Sequence, residues 1–131
     1  MFDATMLLKQ NAHDTVRAGG PARLYRIAVW LHLKYVVPLV SEPGDRVFVI
    51  AGSLQVTGGG EAIHRAVEDV CQRVRFDRCV VPCIWQASSS WGVQAADYAL
   101  WTVQRRAAGK SMPSYCDMIE SQIRSVFYPW G

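Results

Sequence analysis

Asp97 is the residue of this sequence whose setting demands the most of its chemistry. It lies in the run Val93-Gln94-Ala95-Ala96-Asp97-Tyr98-Ala99-Leu100-Trp101-Thr102-Val103-Gln104-Arg105-Arg106, a single acid among small and apolar side chains on a helix. A carboxylate removed from water without a partner is costly, so Asp97 is expected to be buried beside a cation, a hydrogen-bond network or a metal. Lys34, Arg26 or a tyrosine would serve as its partner. Trp101 and Arg105 follow at steps of four residues, which places them on the same helical face.

The basic residues suggest a second chemistry. Tryptophans combined with Lys34, Arg105 and Arg106 would form an aromatic and cationic surface suited to nucleic acid. The plainer alternative puts Trp101 in the core, pairs Arg105 with an acid and leaves Arg106 in solvent. His13, His32 and His64 have no metal-ligand spacing, and His32, close to Lys34, reads as a core or rim histidine or as a phosphate contact. Gly58-Gly59-Gly60 precedes a helix but lacks the Lys-Ser/Thr of a phosphate loop. Ser88-Ser89-Ser90 lacks the Gly-x-Ser-x-Gly pattern of a hydrolase nucleophile. Cys79 and Cys83 share a strand face but stand about 13 Å apart, too far for one zinc ion. The four cysteines read as free thiols.

Composition bounds the class. The 131 residues make a single domain, 1–131, half apolar and 19% charged, and a net charge of +3 permits a nucleic-acid partner without demanding one. The longest apolar stretch, Ile27 to Val40, is broken by His32, Lys34 and Pro38 and is shorter than the ~20 residues of a membrane span. With no membrane helix expected and no secretory pattern at the N-terminus, a cytoplasmic location is expected.

Periodicity supplies the elements that would position these residues. Phe2 to Lys9 reads as a strand, and Ala22 to Leu39 as a helix that opens behind Pro21 and is apolar nearly all round. Arg46 to Gly52 is a continuous apolar run, read as a central strand buried on both faces. Glu61 to Val74 is an amphipathic helix, and Asp77 to Trp85 a third strand in which Pro82 marks an edge, an end or a bulge. The Asp97 helix should stop near Gly109, and a last helix should open at Pro113 with Tyr115, Met118, Ile119, Ile123 and Phe127 as its apolar stripe. The order is β-α-β-α-β-α-α, an α/β fold with a three-stranded, mainly parallel sheet flanked by four helices.

The Asp97 segment, Phe2-Asp3-Ala4-Thr5-Met6-Leu7-Leu8-Lys9, the run from Tyr25 to Val36, and Ser114-Tyr115-Cys116-Asp117-Met118-Ile119 with Ile123 together resemble the domain of unknown function 3800 family. The resemblance spans nearly the whole chain in order, and the Gln94-x-Ala96-Asp97-Tyr98 helix is its most specific part. It implies a ribonuclease H-like fold, of which this chain resembles the C-terminal two thirds. It also implies a metal-dependent nuclease using Mg2+ or Mn2+, with Asp97 as catalytic acid and metal ligand. The chain departs from that pattern. Family members usually begin with a strand ending in an Asp-Glu-Ser-Gly type motif, which is missing here. Ile50-Ala51-Gly52-Ser53 and Gln86-Ala87-Ser88-Ser89-Ser90 also lack the acids that this fold class often carries. Two-metal hydrolysis needs several carboxylates around ions ~4 Å apart. The expectation is therefore a nuclease-like protein that is incomplete or inactive, or a non-catalytic interaction or oligomerisation module on the same scaffold. A homo-oligomer, or a partner covering the exposed edge of the first strand, is expected in either case.

Overall fold

A computed structural model of the chain describes residues 1–52, 59–74 and 77–131. Along the chain run β1 (Phe2–Thr5), α1 (Asp14–Arg17), α2 (Gly20–Val40), β2 (Arg46–Gly52), α3 (Gly59–Arg73), β3 (Cys79–Trp85), α4 (Trp91–Ala107), α5 (Tyr115–Glu120) and β4 (Ile123–Phe127). The fold is mixed α/β, and both strand pairs among the described residues are parallel.

Local signals explain the helix boundaries. Gly20, at φ +73°, turns the chain from α1 into α2, and Pro21 follows in the first turn, where no amide is needed. Ser90 caps α4 by accepting from the Val93 amide, and Gly109, at φ +62°, follows its end in the left-handed conformation expected there. Val93 packs on Gly52, where an added Cβ would come within 3.0 Å of it, so α4 meets the end of β2 through a glycine.

The core forms where α2 crosses α3 and both lie on one face of β2 and β3. Leu33 and Val37 of α2 meet Val67 and Val70 of α3, with Val47, Val49 and Val80 packed against them. Among the described residues no helix is long and apolar enough to cross a membrane.

The structure corrects four expectations. The strands form two two-stranded sheets, β1 with β4 and β2 with β3, rather than one sheet of three strands. Ile123 and Phe127 belong to β4, not to a helical stripe, because α5 ends at Glu120 and the chain returns alongside β1. β1 ends at Thr5, short of Lys9, and a short 3-10 turn occupies Lys9–Asn11. Exposure alternates along β2, so its second face is open: Phe48 is 56% and Ile50 42% exposed.

Candidate functional site

Asp97 is exposed, which overturns the expectation of burial. Tyr98 and Trp101 on the same side of the helix are exposed as well, so this face of α4 looks outward. With Ser88, Gln94, Tyr98, Trp101 and Tyr115 it lines a shallow depression. Its carboxylate makes no hydrogen bond or ion pair among the described residues. Its charge reaches Tyr25 of α2, whose hydroxyl is pushed up in pKa first by burial and then by Asp97. Of the expected partners, Arg26 is engaged by Asp69 and Lys34 lies over the ring of Trp30, 5.1 Å from its centroid.

Arg105 shares the Asp97 face. Its guanidinium sits 5.0 Å from the centroid of Trp101, and its Nε donates to the Ser111 carbonyl at 2.5 Å. Trp101 in turn stacks on Tyr115, with centroids 6.2 Å apart. Arg106 pairs with Glu120 at 3.4 Å. Arg105 and Arg106 are thus both tied to neighbouring groups. The implied metal chemistry needs several acids, whereas Asp97 is the one carboxylate in the depression among the described residues. Among the described residues no three of His, Cys, Asp or Glu come together as a metal-binding group. The donor set does not fit a two-ion centre.

Lys34 leads to a different surface. Along α2, Arg23, Arg26, Trp30 and Lys34 recur at steps of three and four residues, which places them on one side of the helix. Arg65, Asp69 and Arg73 do the same on α3 and span about 12 Å of helix. Packing α2 on α3 brings the two rows together around a groove of about 830 Å³, lined by Arg23, Arg26, Arg65 and Arg73, by Trp30 and Trp130, and by Glu61 and Asp69 among others. Among the described residues, four guanidinium groups against two carboxylates leave it two positive charges in excess.

Asp69 engages Arg26 and Glu61 engages Arg65, while Arg23 and Arg73 have no carboxylate partner among the described residues. The stem of Arg23 lies over Gly19, in the place a side chain there would take. Trp30 Nε1 is buried and has no hydrogen-bond partner among the described residues. Arg65 and Arg73 belong to the polar side of the amphipathic Glu61 to Val74 segment. The spacing of each row was visible, but their convergence depends on contact between helices some forty residues apart.

A third polar cluster joins the termini. Asp3 of β1 accepts from Arg124 Nε of β4 at 3.0 Å and from Ser125 Oγ at 2.5 Å. The hydrogen bond from Arg124 is the main reason its carboxyl is held below the usual range. His32 of α2 shares a 3.0 Å hydrogen bond between its Nδ1 and Thr5 Oγ1, and burial lowers its pKa while the Asp3 charge partly opposes that. No family model, curated protein or solved structure matches this chain.

Proposed function

We propose that this chain binds single-stranded nucleic acid along the groove between α2 and α3, as a ribonuclease H-like module that holds the strand without cutting it. The observation carrying this reading is the groove itself, with four arginines and two tryptophans on its walls. Planar guanidiniums suit bidentate contact with phosphate, and Arg23 and Arg73, which meet no carboxylate among the described residues, can make it without first breaking an ion pair there. A tryptophan offers a platform on which any base can stack, which suits an unpaired strand. Lys34 extends the cationic row one turn past Trp30. A cytoplasmic setting, in which free Cys71, Cys79, Cys83 and Cys116 stay reduced, belongs to the same reading.

Titrating the chain with a short oligothymidylate, read by tryptophan fluorescence, tests this. Saturable quenching that weakens in Trp130→Leu is expected, with the oligonucleotide intact after incubation with Mg2+ or Mn2+. Absence of quenching would sink the binding claim, and cleavage lost in Asp97→Asn would restore the nuclease reading.

One observation favours a second role, as an oligomerisation module. Phe48, Ile50, Val81, Cys83 and Trp85 line the open face of the β2–β3 pair, with Arg46 the one charged side chain, at its end, among the described residues. Parallel sheets are normally covered on both faces. A second copy of the chain is the proposed cover, and a sedimentation experiment in which Ile50→Lys converts a dimer to monomer would support it. A wild-type monomer at high concentration would count against it.

A further inference from the structure

Five alanines, Ala4, Ala28, Ala51, Ala96 and Ala99, arrive from β1, α2, β2 and α4 at one place between the two sheets. Where side chains this short converge, the elements cannot fill the space between them, and a cavity of about 280 Å³ remains. Its wall is almost wholly apolar, completed by larger groups such as Leu33, Val49 and Val103. An apolar cavity of ~150 Å³ admits benzene, so this one has room for a fused pair of rings.

The polar groups on the wall are few and specific. Asp3 is already satisfied by Arg124 and Ser125. His32 spends its Nδ1 on Thr5 and has no further hydrogen-bond partner among the described residues, which leaves Nε2 unused. Burial favours the neutral imidazole, so the wall offers two hydrogen-bonding positions among the described residues, His32 Nε2 and the Tyr25 hydroxyl, and no free charge. Apolar pockets with a few placed polar groups are the usual form of small-molecule sites.

We infer that this cavity is a binding site for a small, uncharged, bicyclic aromatic molecule carrying one hydroxyl, with the rings against the alanines and the hydroxyl on His32 Nε2. The alanines set the size of the ligand and His32 sets its orientation. The site is separate from the arginine groove, which lies on the other lining of α2 and takes an anionic chain.

Titration of the wild-type chain with 2-naphthol, followed by ligand fluorescence, should show saturable one-to-one binding. Naphthalene, which lacks the hydroxyl, should bind about fivefold more weakly, the ordinary value of one hydrogen bond. His32→Leu should abolish that preference. Ala99→Leu fills the cavity from α4 and Ala28→Leu fills it from α2. Each should remove binding while the variant still melts cooperatively, and having both keeps the test alive if one fails to fold. No saturable binding by the wild type, equal binding of the two compounds, or undiminished binding in a folded filled variant would overturn the assignment.

Discussion

Asp69 of α3 holds Arg26 of α2 across the helix contact, with Nε donating to Oδ2 at 2.7 Å. The side chains are 40% and 25% exposed, so solvent screens the pair and its contribution to stability is small. Its larger effect is to occupy one of the four guanidiniums of the groove.

Asp69→Asn should therefore strengthen nucleic-acid binding. Removing the carboxylate frees Arg26 and raises the charge of the groove, worth roughly 1 kcal/mol or about fivefold in affinity at low salt. The cost in stability should stay below about 1 kcal/mol. Fluorescence anisotropy and thermal melting of the variant check the two halves.

Ile63 is fully buried where α3 meets the core, and it also lines the apolar cavity. Ile63→Ala should destabilise by roughly 2–5 kcal/mol, since it removes buried methyl groups beside space that is already unfilled. Urea denaturation with an unchanged m-value would measure it.

Two groups give stability a pH dependence of known sign. Burial lowers the His32 pKa from its ordinary 6.5, so as pH falls the unfolded chain takes up that proton before the folded one. Stability should therefore decline as pH drops below about 6.5. Asp3 is held below its ordinary 3.8 chiefly by the Arg124 hydrogen bond, so its contribution is present above that value and is lost as pH falls through the lowered one. Melting temperature against pH should show both declines, the first absent in His32→Gln and the second reduced in Asp3→Asn.

Asp97→Asn should change stability by less than about 0.5 kcal/mol, because the carboxylate is exposed and has no hydrogen-bond or ion-pair partner among the described residues. A loss of several kcal/mol on thermal melting would show a buried, paired acid instead.

The sequence foretold the elements better than their contacts. Arg46 to Gly52 is a strand at the expected bounds, because breakers flank an unbroken apolar run. The α3 region and β3 agree within a few residues. Ile123 and Phe127 misled because their spacing continues the helical pattern of Tyr115 and Ile119. What makes them a strand is pairing with β1, more than 115 residues away, which no local period records. Asp97 misled for a related reason: alanines beside an acid are compatible with a buried face but do not require one. The arginine groove and the cavity each need two or more elements to meet, and that meeting is written in packing between helices rather than in either helix alone.

The salt dependence of oligothymidylate binding tests the central claim most directly. Each phosphate neutralised on a single strand contributes about 0.7 to the slope of log K against log salt. The groove predicts that Arg23→Gln and Arg73→Gln each lower the slope by about that amount and weaken binding, while Arg105→Gln leaves both unchanged. Equal slopes for the wild type and the Arg23→Gln/Arg73→Gln double variant, or a loss confined to Arg105→Gln, would contradict the assignment of the strand to the α2–α3 groove.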